Sequence, residues 1–230
     1  MRIIAHRGAS ADFPEHSAAA IQAAWEQGAD GVELDLRLSA DGRLLLHHDA
    51  TLLRCYGDPR PVARLDSRRR GELVGEPPLL LEEALELVPA GRLLFLELKE
   101  GPQQAAPLAR ALGRRREGVH LISFRRDTLA CAGEWLPRLP RLWLRAGAHP
   151  PSPVTLRRWQ RICQLDQLTG LDLEVGRIGG KSAGFLRAAG LGLGVWTVDE
   201  PESARRLSLL GVDWLTTNGP GGLRRALAGG

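Results

Sequence analysis

Residues 31–36, Gly31-Val32-Glu33-Leu34-Asp35-Leu36, decide the fold. Side chains alternate between faces along a strand, so Glu33 and Asp35 share one face while Leu34 and Leu36 take the other. Leu94-Phe95-Leu96-Glu97-Leu98-Lys99 repeats the arrangement, with Glu97 and Lys99 on one face and the alternating leucines on the other. Outward from these two segments, short apolar runs recur at residues 2–5, 31–36, 93–98, 118–122, 140–144, 169–173, 192–196 and 212–216. Between them, helical spacing marks 17–27, 80–88, 103–114, 126–134, 153–161, 180–189, 200–210 and 220–228. Eight strands alternating with eight helices predict a parallel sheet with crossover helices, closed into a (β/α)8 TIM barrel. The whole chain, residues 1–230, reads as one such domain.

Local signals agree with the alternation. Ser17 precedes Ala18-Ala19-Ala20 as an N-cap, Pro201 opens a first helical turn, and Gly28, Gly190 and Gly211 stand where helices should stop. Residues 37–78 break the pattern. They begin with a hairpin around Asp41-Gly42 and continue through a Pro-, Gly- and Arg-rich stretch, which reads as a small insertion after the second barrel strand.

With 43% hydrophobic and 25% charged residues among 230, the chain has an ordinary globular composition, which excludes disorder as its main theme. No run approaches the roughly 18 apolar residues of a membrane span, and Ile3-Ile4-Ala5 followed by His6-Arg7 lacks the layout of a secretory leader. The expectation is a soluble, cytoplasmic protein with no stable membrane insertion, and a scarcity of exposed apolar loop residues argues against membrane substrates. Cys55, Cys131 and Cys163 are widely spaced and outside any CxxC pattern, which excludes a disulfide framework or a zinc site. The net charge is +4 and the pI near 9.5. The arginines are scattered among glutamates rather than gathered in one stripe, so no nucleic-acid partner is expected.

Glu33, Asp35, Glu97 and Lys99 converge on one end of the barrel, the end where barrel active sites lie. Crowding carboxylates there costs on the order of several kcal/mol per ion unless positive charge compensates them. Three oxygen donors without cysteine suit a hard divalent cation, Mg²⁺ or Ca²⁺, rather than zinc; the alternative is an internal salt-bridge network in which Lys99 and Arg7 neutralise the acids. His6-Arg7-Gly8 ends the first strand, and His47-His48-Asp49 ends the run after the hairpin, so imidazoles stand beside the acids. Imidazole gives or takes a proton near neutral pH, and a guanidinium offers a fork for a phosphoryl oxygen. His47 and His48 face opposite ways, and adjacency to Asp49 selects His48 for the site.

In order along the chain stand His6-Arg7-Gly8, Pro14-Glu15-His16-Ser17, Val32-Glu33-Leu34-Asp35-Leu36, Asp41-Gly42 and His48-Asp49. After the insertion rejoins the barrel at Pro78-Leu79-Leu80, they continue with Leu96-Glu97-Leu98-Lys99, Ser123-Phe124, Val195-Trp196-Thr197-Val198 and Gly211-Val212-Asp213. Together they resemble the ordered motifs of the glycerophosphodiester phosphodiesterase family, across nearly the whole chain. The resemblance implies a divalent ion held by Glu33, Asp35 and Glu97, with His6 and His48 as the general acid and base. Arg7 and Lys99 would hold phosphoryl oxygens, and Glu15 and Trp196 join the substrate-binding group, Trp196 as a wall for the glycerol end. The implied reaction is hydrolysis of a small glycerophosphodiester to glycerol 3-phosphate and an alcohol. Three departures stand out: His16 where the family usually has Asn, Asn218 where it has Asp, and Asp199 where Asn is common. Rival readings are a lysophospholipase D-like or phosphoinositide-type phosphodiesterase on the same barrel, a Schiff-base aldolase using Lys99, and a phosphate-binding module without turnover.

Overall fold

In the computed structural model, which describes residues 1–228, the chain closes a sheet on itself. The strands are β1 (Arg2–His6), β2 (Gly31–Leu38), β3 (Leu44–Leu46), β4 (Leu93–Leu98), β5 (Val119–Ser123), β6 (Arg141–Arg145), β7 (Gly170–Glu174), β8 (Gly192–Trp196) and β9 (Trp214–Thr217). All but β3 run parallel, each beside its successor, and β1 pairs with both β2 and β9 to complete the ring. The helices are α1 (Ala18–Glu26), α2 (Leu53–Tyr56), α3 (Leu81–Glu86), α4 (Ala105–Leu112), α5 (Arg126–Trp135), α6 (Pro153–Leu165), α7 (Gly180–Ala188), α8 (Pro201–Leu209) and α9 (Pro220–Ala228). This is the expected (β/α)8 barrel. Its element limits differ from the expected ones mainly at α6, which runs four residues past 161 to Leu165, at β9, which starts two residues late, and at residues 102–104, which form a 3-10 turn before α4. Ser17 caps α1, its hydroxyl accepting from the Ala20 amide at 3.0 Å.

Alternation sorts the side chains into two apolar layers. Leu34, Leu36, Leu96, Leu98, Leu171 and Leu173 face the helices, while Ile4, Phe95, Ile122, Leu142 and Leu144 fill the barrel interior. Lower in the barrel, Phe95 stacks on His120 at 4.6 Å between ring centroids, and Trp214 tilts against both rings at 5.6 and 5.8 Å. That indole needs glycine opposite it. A Cβ on Gly192 would lie 2.8 Å from Trp214 Cη2, and one on Gly194 would collide with Trp214 Nε1.

The insertion grows out of β2. One edge of β2 pairs with β4 from Gly31 to Leu36. Its other edge pairs with β1 only as far as Glu33, leaving Leu36–Leu38 for antiparallel β3. Beyond β3 the insertion buries a small core of its own, Leu45, Leu52, Val62, Leu65 and Leu73. Among the described residues no helix is long and apolar enough to cross a membrane.

Candidate active site

Parallel register sets the acidic cluster. β2 and β4 pair with Asp35 beside Glu97, and Glu33 lies one inward position below Asp35. The three buried carboxylates each bring an oxygen within 4.8 Å of the others. Lys99, just past β4, places Nζ 3.0 Å from Glu97 and 3.2 Å from Asp35. Arg7 follows β1 with a left-handed φ of 57°. That turn aims its guanidinium back at the cluster, with Nε 3.0 Å from Asp35.

The site's electrostatics are uneven. Burial opposes ionisation of Asp35, but a hydrogen bond from His16 and the charges of Lys99 and Arg7 outweigh it, so this carboxyl sits well below the usual range. Burial holds Glu33 well above that range, with Asp35 and Glu97 adding to the effect. Burial and then Asp35 push Glu97 up to about 7. Lys99 is raised, its acidic neighbours prevailing over burial. Two protein cations thus leave the cluster short of positive charge, and Glu33 Oε1 is buried without a hydrogen-bond partner among the described residues. An all-oxygen donor set in this condition fits a hard divalent ion.

His6 Nδ1 lies 2.7 Å from the Asn218 side-chain oxygen, and its Nε2 is 3.9 Å from Glu33. Burial, with Arg7 beside it, pulls His6 down to about 4, so the ring is neutral near pH 7. His48 Nδ1 is 2.7 Å from Asp49, and its backbone oxygen accepts two bonds from Arg37. Burial lowers His48 as well, against the opposing pull of Asp35 and Asp49.

A cavity of about 290 Å³ joins these groups. His6, Arg7, Glu33, His48, Glu97 and Lys99 line it, with Phe124 and Trp196 meeting edge to face at 5.7 Å on its wall. A larger groove of about 850 Å³ shares His6 and Arg7 and runs toward Asp199 and Asn218. His47 points elsewhere, its Nε2–H donating to the Thr51 carbonyl oxygen at 2.9 Å, and lines a separate groove.

Glu15 is not brought into the small cavity. Both its oxygens are engaged by Arg54, at 2.6 and 3.0 Å, and one also by Arg7 at 3.1 Å, so it orients the guanidinium instead of reaching the cavity. Burial would raise this acid, yet Arg54 and Arg7 take it down to about 2. Sequence reasoning gave His16 no role. It is buried at a φ of 60°, and its Nε2 lies 2.9 Å from Asp35. Asp172, also buried on the cavity wall, was passed over although Leu171-Asp172-Leu173 carries the same alternation that revealed Glu33 and Asp35.

A profile of the "Glycerophosphoryl diester phosphodiesterase family" matches residues 6–106. A glycerophosphodiester phosphodiesterase of Caldanaerobacter subterraneus subsp. tengcongensis is 30% identical over 236 residues, which cover 95% of this chain and 94% of that protein. Among solved structures, an Oleispira antarctica phosphodiesterase in complex with the product sn-glycerol-3-phosphate superposes with a TM-score of 0.89 at 24% identity, covering 99% of this chain and 97% of that one. A Thermotoga maritima glycerophosphodiester phosphodiesterase gives a TM-score of 0.84 at 24% identity, covering 98% and 97%. The fold and these relatives define a barrel enzyme of the phosphodiester hydrolase class. Within that class, the chain belongs to the glycerophosphodiester phosphodiesterase family.

Proposed function

We propose that the protein hydrolyses small glycerophosphodiesters to glycerol 3-phosphate and an alcohol, using Glu33, Asp35 and Glu97 to hold Mg²⁺ or Ca²⁺. The observation that carries this reading is three buried carboxylates gathered within 4.8 Å, two of which, Glu33 and Glu97, line a cavity that two imidazoles also line. A divalent ion there would offset charge on the phosphoryl oxygens. Arg7 and Lys99 supply further positive charge to those oxygens. His6 is the base: a ring titrating at about 4 is unprotonated at neutral pH, so its Nε2 takes the proton from the attacking hydroxyl. His48, backed by Asp49, acts as the acid in its protonated form, giving that proton to the departing alkoxide as the P–O bond breaks and regaining one from solvent, while His6 releases the one it took. Trp196 and Phe124 exclude water from one wall and pack against the carbons of the glycerol moiety. The proposed setting is the cytoplasm, which the free Cys55, Cys131 and Cys163 suit.

The test is turnover of glycerophosphocholine after chelation, then with Mg²⁺ and Ca²⁺ restored separately. Loss on chelation and return with either ion is expected; indifference to chelation removes the ion from the reading. His6→Ala and His48→Ala are each expected to lower kcat by about 10²-fold or more, and His47→Ala to stay near wild type.

One observation favours a second reading. Exposed apolar residues are not scarce on the catalytic-end loops: Phe13 is 39% exposed, Leu53 57%, Val74 80% and Phe124 43%. Phe13 and Val74 line one groove of about 460 Å³. An acyl chain could lie there, making a lysophospholipid a substrate, and turnover of lysophosphatidylcholine against glycerophosphocholine separates the two.

A further inference from the structure

One carboxyl group on the cavity has no part in the arrangement above. Asp172 stands third in β7, and burial leaves it 1% exposed. It shares the cavity wall with Ile122, Leu144, Phe124 and Trp196. Its Oδ1 has no hydrogen-bond partner among the described residues. Across the ladder its neighbour is Gly194, where a Cβ would collide with Trp214 Nε1 and lie 2.6 Å from that oxygen, so the glycine leaves room for both side chains.

An unpaired buried carboxyl is destabilising, and a chain gains nothing by keeping one unless something binds it. A metal does not explain it. The acids whose oxygens gather within reach of a common ion are Glu33, Asp35 and Glu97, and Asp172 falls outside that group. No arginine or lysine pairs with it among the described residues, so a phosphoryl-binding cation is not what it holds in place. Trp214 Nε1, another buried donor without a partner among the described residues, lies on the same side of Gly194 but makes no hydrogen bond to the carboxyl. What remains is a neutral hydrogen-bonding group on a molecule inside the cavity that Asp172 lines. Ile122, Leu144, Phe124 and Trp196 give the same cavity an apolar side beside its charged one, so a fitting complement has a C–H face and hydroxyl groups, the chemistry of a short polyol. Burial, with Glu97 nearby, pushes the carboxyl up to about 8. It can then both donate to and accept from a hydroxyl at neutral pH.

We propose that Asp172 binds a hydroxyl of the substrate's polyol moiety and is the residue by which the cavity selects hydroxylated phosphodiesters. The inference rests on the hydrolase reading above and deepens it. A site built to hydrogen-bond a hydroxyl rejects an analogue lacking it, because the buried group is then left unpaired.

Steady-state kinetics of the full chain test it, using glycerophosphocholine and methyl 4-nitrophenyl phosphate, a diester with no alcohol hydroxyl. Asp172→Ala should raise KM for glycerophosphocholine by roughly 10-fold with kcat within about 2-fold, the loss of one buried hydrogen bond. The same variant should leave kcat/KM for the methyl diester unchanged. Asp172→Asn, which keeps a donor and an acceptor, should stay within about 3-fold of wild type on both. Ca²⁺ affinity by calorimetry should be the same in all three proteins. Equal losses on both diesters, an unchanged KM, or a fall in Ca²⁺ affinity would each overturn the assignment, in favour of a packing role, no role, or an ion ligand. Wild-type turnover of the methyl diester without turnover of glycerophosphocholine would instead overturn the functional reading, and the inference with it.

Discussion

Asn218 decides which nitrogen of His6 is free. Its amide Nδ2 donates to Asp199 at 2.7 Å, and a carboxylate only accepts, so the amide oxygen must be the atom that faces His6 and Ser10. That oxygen fixes the proton on Nδ1 and leaves Nε2 as the base. The acid and the amide have changed places relative to the family's usual motif, so His6 is aligned by a neutral group rather than by a carboxylate. We expect Asn218→Leu to lower kcat by about 10-fold or more, with little change in KM, as both imidazole tautomers become accessible. The pH profile follows the same ring. Because His6 is depressed to about 4, the limb of kcat/KM on which it fails as base should lie near pH 4 once a saturating divalent ion holds Glu97 ionised; a limb near 6.5 that persists at saturating ion and shifts in Asn218→Leu would mean that burial does not hold the ring neutral. His6, Glu33, Asp35, Glu97 and Lys99 were legible in the sequence because each sits at a strand end with a simple alternation around it. The pairing of Glu15 with Arg54 was not legible, because Arg54 comes from the insertion and nothing in the spacing of residues 15 and 54 announces that contact.

At the scale of elements, acids hold the insertion together, and one, Glu15, ties it to the barrel through Arg54. Asp41, at the hairpin turn, accepts from the Ser39 hydroxyl, the Ser67 hydroxyl and the Ser67 amide at 2.7, 2.7 and 2.9 Å. It thereby joins β3's hairpin to the 3-10 turn at Ser67–Glu72. Asp41→Ala should cost about 1–2 kcal/mol, less than three charged bonds would cost in a dry interior, because solvent reaches the group. Thermal melting measures it. Asp49 is depressed to about 2, with burial outweighed by His48 and Arg54, and Glu15 likewise to about 2 by Arg54 and Arg7. Their folded values lie below the unfolded ones near 4, so the stability they add is full above that pH and fades as acid is added toward 2. Far-UV and near-UV circular dichroism between pH 5 and 2 should report loosening in that window. The barrel's strands and helices were legible because parallel strands buried on both sides are apolar runs and the helices between them carry their own stops. The interior of residues 37–78 was not, since α2 is four residues long and 3-10 turns leave no periodicity to read.

For the whole molecule, closure of the ring fixes the register that sets Asp35 against Glu97, a fact no single strand contains. The same closure sets what the lower barrel tolerates. Gly192→Ala would push a methyl group against Trp214, and overpacking of this kind costs about 1–3 kcal/mol, or a fall in Tm of several degrees for a chain this size. An unchanged Tm would show that the indole has room to yield. Phe95, His120 and Trp214 have a further consequence for traffic. With those rings filling the channel beneath, the reactants and products of the proposed hydrolysis would pass through the upper mouth. The fragment nearer that opening has to depart first, and the one seated deeper waits behind it.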